Sequence, residues 1–267
     1  MRLIWLVGAC VAFAAHAHAL VIGAYELSPH IVADAQKEPT GAVVDFVQEV
    51  LVKSGEFPDV EWRVANFART LRELEAGKLD LVFMVAHNPQ RQVLFRYSSQ
   101  PLFDTRSAVV VARRGPLAGL TQLEQLRRMR VGHAHSSIVP DYLKALDVEL
   151  HDISGDDYFA RGLKMVELQR LDAYCAPTLS NAQYLFKSYP GAQALSVLPL
   201  PVEPLSLFVV FNKTMDEKTF TRLDSLISGR AAKQTPLGTP LLMVPREGRC
   251  ETGAARRGTR ARSALRA

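Results

Sequence analysis

Residues 69–103 read RTLRELEAGKLDLVFMVAHNPQRQVLFRYSSQPLF. The first part has helical spacing: Leu71, Leu74 and Ala76 can share one face, with Arg72, Glu73 and Glu75 turned outward. Gly77 stands where a left-handed residue would end that helix. Lys78 and Asp80 then lead into a continuous apolar run, Leu81 to Ala86. A run that short, just after a helix stop, predicts a strand buried on both faces. It closes in a polar turn, His87-Asn88-Pro89-Gln90-Arg91. In an open α/β sheet, ligands gather outside the carboxyl ends of the strands. Asn88 and Arg91 therefore stand where a ligand is expected.

Working outward, Leu20 to Tyr25 predicts a first strand, followed by a polar stretch punctuated by Pro29, Pro39 and Gly41. Gly41 to Lys53 has helical periodicity through Val43, Val44, Phe46, Val47, Val50 and Leu51. Val60 to Val64 alternates as a second strand, and Asn66 can cap the helix after it. Strand and helix thus alternate up to Arg91, the pattern of a parallel sheet with right-handed crossovers. Beyond Phe103, the run Ala108–Ala112 predicts another strand, Leu120–Arg128 a short helix with Thr121 as its cap, and Arg130–Gly132 the start of a new strand. Helices are expected at 139–146, 156–168 (with Gly162 a weak point), 180–187 and 216–227. Strands are expected at 170–175, 197–200 and 205–211.

The order helix, Gly77-Lys78-Leu79-Asp80, apolar strand, Asn88-Pro89-Gln90-Arg91, then Tyr97-Ser98-Ser99-Gln100-Pro101-Leu102-Phe103 resembles the family 3 solute-binding proteins of bacterial ABC transporters. The resemblance extends over roughly residues 20–230. Gly41 and Asp45 match the family's Gly-x-x-x-Asp, and Arg130-Val131-Gly132 resembles the segment that opens its second lobe. The resemblance implies an α/β, two-lobed periplasmic binding protein fold of type II, with parallel-sheet lobes and a two-strand hinge. Lobe 1 would be 20–107 with 208–230, lobe 2 108–207, and a tail would occupy 231–267. Crossings are expected near 105–114 and 203–208, as a hinge-bending protein needs.

The resemblance also implies roles. Arg91 matches the arginine that holds a ligand carboxylate; a guanidinium forks two parallel hydrogen bonds onto such a group. A surface arginine paired with an acid is the plain alternative. Asn88 replaces a threonine and can still make one hydrogen bond to the ligand. Tyr25 matches an aromatic position against the ligand, or is simply a half-buried tyrosine. Ser136 and Ser137 fill the place of a loop before a helix, where free backbone N–H groups suit an anion; they can equally serve only as caps. Amino-acid binders of the family usually carry an aspartate soon after the strand matched here by 170–175, but Ala176-Pro177-Thr178 holds no acid. Asp172 reads as structural. An amino acid and a small carboxylate are both open as solutes.

Composition is that of a globular protein, 48% hydrophobic and 22% charged. The net charge of +5 belongs to the tail: residues 246–267 hold seven arginines and only Glu247 and Glu251 as acids, and without them the body is neutral. That removes the support for a nucleic-acid partner. At the N-terminus, Arg2, an apolar Leu3–Ala15 and Ala17-His18-Ala19 fit a signal peptide cut after Ala19. The mature chain then starts at Leu20, in the periplasm. An uncleaved anchor, or a lipoprotein site at Cys10, is the other reading of this segment. Cys175 is expected to be a buried free thiol, unpaired with Cys250.

His133 and His135 stand at i and i+2, so a strand would point both the same way. His30, Asp141 and His151 are the only third metal ligands to weigh, and ordinary loop histidines account for the pair as well. The sequence lacks Gly-x-Ser-x-Gly, a P-loop and Gly-x-Gly-x-x-Gly. No metal and no cofactor is implied. The expected activity is binding of a small polar solute by a monomer, for delivery to an inner-membrane ABC permease. The alternatives are an extracytoplasmic sensor module without transport, or an enzyme on the same fold such as a dehydratase.

Overall fold

The computed structural model describes residues 19–34, 36–135, 141–155, 157–176 and 178–234. The expected signal peptide, Ser136, Ser137 and the arginine-rich tail lie outside the described residues. Strand β1 (Leu20–Ala24) is buried along its whole length. Helix α1 (Ala42–Val47) runs on into a π-helical turn at 48–52, burying Val43, Phe46, Val47 and Leu51. Gly41 before it has φ 112°, and a Cβ there would meet the Pro29 and His30 carbonyl oxygens at 2.8 Å. No L side chain fits such a site without strain. Strand β2 (Val60–Val64) is an edge strand with the expected alternation. Asn66 then caps α2 (Phe67–Glu75), accepting from the Arg69 N–H at 3.0 Å. The helix gives way to Gly77, at φ 72°, as its stop signal predicts.

Strand β3 (Leu81–Ala86) is the buried run. Beyond it the chain forms a short helix, α3 (Pro89–Leu94), in place of the expected turn. Asn88 caps it and Pro89 supplies a preset φ at its first position. Strands β4 (Phe95–Tyr97) and β5 (Phe103–Thr105) complete this part of the chain. Next come β6 (Ala108–Ala112), β7 (Arg130–Ala134), α4 (Asp141–Ala145), β8 (Glu149–Ile153), α5 (Tyr158–Glu167), β9 (Ala173–Ala176), α6 (Leu179–Lys187) and β10 (Leu195–Pro199). The helix expected at 120–128 is only a 3-10 turn, Leu123–Leu126, closed by a Gln122–Gln125 capping box rather than by Thr121. Strand β11 (Leu205–Asn212) and helix α7 (Glu217–Gln234) end the described chain, and α7 outlasts its expected end at Ile227.

The strands form two mixed sheets with one plan. In the first the order is β2-β1-β3-β11-β4, with β5 also on β11; in the second it is β8-β7-β9-β6-β10. The leading three strands of each are parallel, and the fourth runs antiparallel to them. The fourth strand is in each case the one that has just crossed from the other sheet. The chain crosses at Arg106–Ser107 and again at 200–204. Strand β11 belongs to the first sheet from its first residue, since Leu205 pairs with Thr105.

An aspartate fixes the register inside each sheet. Asp80, just before β3, accepts from the Val21 N–H of β1 at 2.7 Å. Asp172, just before β9, accepts from the Arg130 N–H of β7 at 2.9 Å and grips the Arg130 side chain at 3.0 and 2.8 Å. The Arg130 fork holds the Asp172 carboxyl below the usual range, against the opposing effect of partial burial. Asp172 is thus structural, as expected. In the second sheet's core, the ring of Tyr174 lies against α5. A Cβ at Gly162 would come within 2.4 Å of that ring, so the residue that weakens the helix is what admits the tyrosine.

The two halves also touch beside the first crossing. The Asn181 side chain donates to the Ser28 carbonyl at 2.7 Å, and His30 Nε2 meets Ser180 Oγ at 2.7 Å. The Leu179 N–H donates to the Arg106 carbonyl at 2.7 Å, on the crossing itself.

Candidate ligand-binding site

A cleft of about 1010 Å³ opens between the sheets, at the carboxyl ends of β1, β2 and β3 on one side and of β7, β8 and β9 on the other. Its shape on the first side depends on an irregularity in β3. Val85 pairs with Phe208 but Val82 with Val210, so Phe83 and Met84 together face the single Val209. Met84 takes φ 63°, the left-handed region that a methionine rarely adopts. This bulge re-aims the strand end, as bulges beside sites do. The Tyr25 hydroxyl holds it by donating to the Met84 carbonyl at 2.6 Å.

Three of the sequence-expected residues meet here: Tyr25, Asn88 and Arg91 all line the cleft. Arg91 is only 9% exposed. Its guanidinium lies over the Phe67 ring at 5.0 Å and donates to the Ala86 carbonyl at 3.3 Å. Burial lowers its pKa, yet an arginine starts so high that it stays charged. Among the described residues no carboxylate pairs with it. Asn88 has a local duty: its Oδ1 accepts from the Arg91 N–H at 2.7 Å, so it orients the helix that carries Arg91. The Tyr25 ring packs against Phe67 at 4.6 Å, tilted by 55°, and burial raises its hydroxyl far above the ordinary range.

Several lining residues carried no mark in the sequence. Phe67 follows the carboxyl end of β2, so the rule that pointed to Asn88 also covers it. Across the cleft stand Tyr142, Tyr158 and Cys175. Burial pushes each of these up to about 12, so all three are neutral in ordinary solution. Cys175 is a free thiol, as expected, but it is half-buried at the cleft wall.

His133 and His135 do point the same way, onto one carboxylate. His133 Nε2 lies 2.8 Å from Asp152 Oδ1, and His135 Nδ1 lies 3.3 Å from Oδ2. The register pairing His133 with Asp152 on neighbouring strands sets this up. His30 is instead on Ser180 and His151 on Glu149, at 3.0 Å; the Asp141 side chain lies outside the described residues. Among the described residues no group of three His, Cys, Asp or Glu could hold a metal, and no helix is long and apolar enough to cross a membrane.

Comparison with known proteins gives a consistent result. The model of the bacterial extracellular solute-binding proteins, family 3, matches residues 20–235. Solved structures share the fold, which is that of type II periplasmic binding proteins. An ancestral arginine-binding protein bound to arginine is similar at TM-score 0.63 and 20% identity, over 81% of this chain and 92% of that one. An amino acid ABC transporter substrate-binding protein from Streptococcus pneumoniae, bound to L-arginine, gives 0.62 and 17%, over 80% and 87%. A histidine kinase sensor domain with similarity to periplasmic binding proteins gives 0.65 and 18%, over 82% and 90%. No curated protein sequence matches the chain.

Proposed function

Since the chain belongs to the bacterial extracellular solute-binding proteins of family 3, we propose that it captures a small carboxylate-bearing solute between its two lobes and delivers it to an ABC permease. The observation that carries this reading is Arg91. Arg91 as a residue is 9% exposed, has no carboxylate partner among the described residues and lines the cleft. A buried charge without a partner is costly, and a bidentate carboxylate is the partner that fits an arginine.

In this reading the solute touches both lobes and so stabilises the closed arrangement by differential binding alone, without chemistry. Lobe 1 comprises 20–105 with 205–234, and lobe 2 108–199, the expected return at 208 moving to Leu205 because β11 pairs with β5 from that residue. Tyr25 and Asn88 support Arg91, and Ser136 and Ser137 keep the anion-binding role that their sequence position implies. The chain is exported by its leader, cut after Ala19, and works in the periplasm as a monomer. A second reading is favoured by the likeness to a histidine kinase sensor domain: the same capture, reported to a signalling partner instead of a permease.

The test is a thermal-shift screen across amino acids, small carboxylates, polyamines and sugars, repeated on Arg91→Ala. A solute at a hundred times its Kd adds about 2.7 kcal/mol, which raises Tm by roughly 5–10 °C for a chain of this size. A carboxylate hit that vanishes in Arg91→Ala is the expected result. A hit of full size in the variant removes Arg91 from the site and this reading with it.

A further inference from the structure

We infer that the solute carries an apolar tail, and that the tail seats in a second, smaller cavity beside the cleft, behind Tyr158; this rests on the reading of Arg91 as the carboxylate anchor. The second cavity measures about 290 Å³ and lies against α5 and the end of α6. It shares two wall residues with the cleft, Glu26 of the first lobe and Tyr158 of the second. Those two side chains stand where the spaces adjoin. Arg91 is close to them. The Tyr25 hydroxyl lies within electrostatic reach of the Arg91 guanidinium and also of Tyr158. A solute held by its carboxylate at Arg91 therefore reaches Tyr158 by passing Tyr25.

The cavity is apolar where a tail would lie. On its deep side are Phe159 and Leu163, both buried. Leu185 and Tyr189 pack on the same cluster of the second lobe. The Tyr189 hydroxyl is turned to Glu167 at 2.6 Å, which leaves its ring to the cavity. Glu26 directs its charge into its own loop: one oxygen takes the Ser28 N–H and hydroxyl at 3.0 and 2.5 Å, the other the Ala33 N–H at 2.8 Å. Burial, with the Glu26 carboxylate adding to it, pushes the Tyr158 hydroxyl up to about 12, so a tail meets it as a neutral group. An apolar cavity of about 150 Å³ takes up benzene, so this one has room for a ring or several methylenes.

The cavity is also formed in advance. Glu26 holds Ser28, and the Ser28 carbonyl accepts from Asn181 of α6 at 2.7 Å. The first-lobe wall is thereby tied to the helix that supplies Leu185. A pocket shaped before its ligand arrives spares the cost of ordering it.

The experiment is calorimetric titration of the purified chain with butyrate, hexanoate, octanoate and decanoate, on wild type, Ala160→Trp and Ser188→Trp. Ala160 on α5 and Ser188 just after α6 line the cavity and are exposed, so an indole at either fills the space without entering a core. In wild type, affinity is expected to rise about fourfold per methylene. In both variants the rise is expected to level off at the longer chains, with butyrate unchanged. A full rise kept in both variants, or a flat series in wild type, would overturn the inference and leave the Arg91 reading standing. Tighter binding of 8-aminooctanoate than of octanoate would also overturn it, by making the occupant a cation drawn to Glu26. Failure of every carboxylate, or binding of full strength in Arg91→Ala, would overturn the inference and the Arg91 reading together.

Discussion

Replacing Asn181 with alanine removes a hydrogen bond that joins the two halves of the molecule beside the first crossing. Asn181 is fully buried and donates to the Ser28 carbonyl at 2.7 Å. Ser28 is itself 3% exposed, so its carbonyl would be left buried without that donor. Losing an ordinary hydrogen bond costs about 0.5–1.5 kcal/mol, and stranding a buried acceptor about 1–3 kcal/mol. Part of this is returned, because Asn181 Oδ1 has no partner among the described residues and is deleted too. The net loss is about 1–2 kcal/mol. The contact sits against Arg106, on the crossing itself, through the bond from the Leu179 N–H. If the lobes close as proposed, atoms beside the crossing move least, and the open and closed forms should lose the contact equally. Urea denaturation should therefore show unliganded stability reduced by that amount, with Tm lower by roughly 2–8 °C. The Kd of the tightest solute should change by less than about threefold. The opposite pattern refutes this reasoning: solute affinity weakened about 5- to 30-fold with unliganded stability intact would place the contact in the closed form alone.

Further predictions concern the second lobe. Tyr174 is fully buried and its hydroxyl has no partner among the described residues. Tyr174→Phe should therefore be neutral or stabilising, by up to about 1 kcal/mol in urea titration; a loss of that size would mean that the hydroxyl is satisfied. Asp172→Asn should be destabilised at neutral pH, since it breaks the fork to Arg130. The folded carboxyl is depressed, chiefly by that fork. Its contribution is thus complete above the unfolded value of about 3.9 and lost as pH falls through the folded one. The gap between wild type and Asp172→Asn should begin to narrow as pH falls below about 4 and close only below the depressed folded value; a gap that acid leaves unchanged throughout would remove the ionic part of the explanation.

Where signals are local, the sequence was readable. The stop at Gly77, the cap at Asn66 and the buried run Leu81–Ala86 each depend on near neighbours alone, and each stands where expected. Asn88 and Arg91 were found by their position after a strand. Asn88's capping bond to the Arg91 N–H was hidden because a polar Asn-Pro pair reads equally as a turn. Strand β8 was missed because Glu149-Leu150-His151-Asp152-Ile153 is largely exposed and lacks an apolar alternation. The bulge at Met84 has no local cause in residue type; it arises from how β3 and β11 pair across a long span of chain. Phe67, Tyr142 and Tyr158 are far apart in sequence, and only the fold collects them into one cleft. Gly162 read as a weakness because its reason is the Tyr174 ring on another element.

The paired aspartates have a consequence for how the molecule can be rebuilt. Asp80 locks β1 to β3, and Asp172 locks β7 to β9, each wholly inside its own sheet. The same lock sits at the same place in two sheets of the same strand order. Neither half relies on the other for the register of its parallel strands. A lobe is therefore a transplantable module: one taken from a relative should arrive with its register already set. The two crossings and the Ser28–Asn181 and His30–Ser180 contacts would have to be matched at the graft.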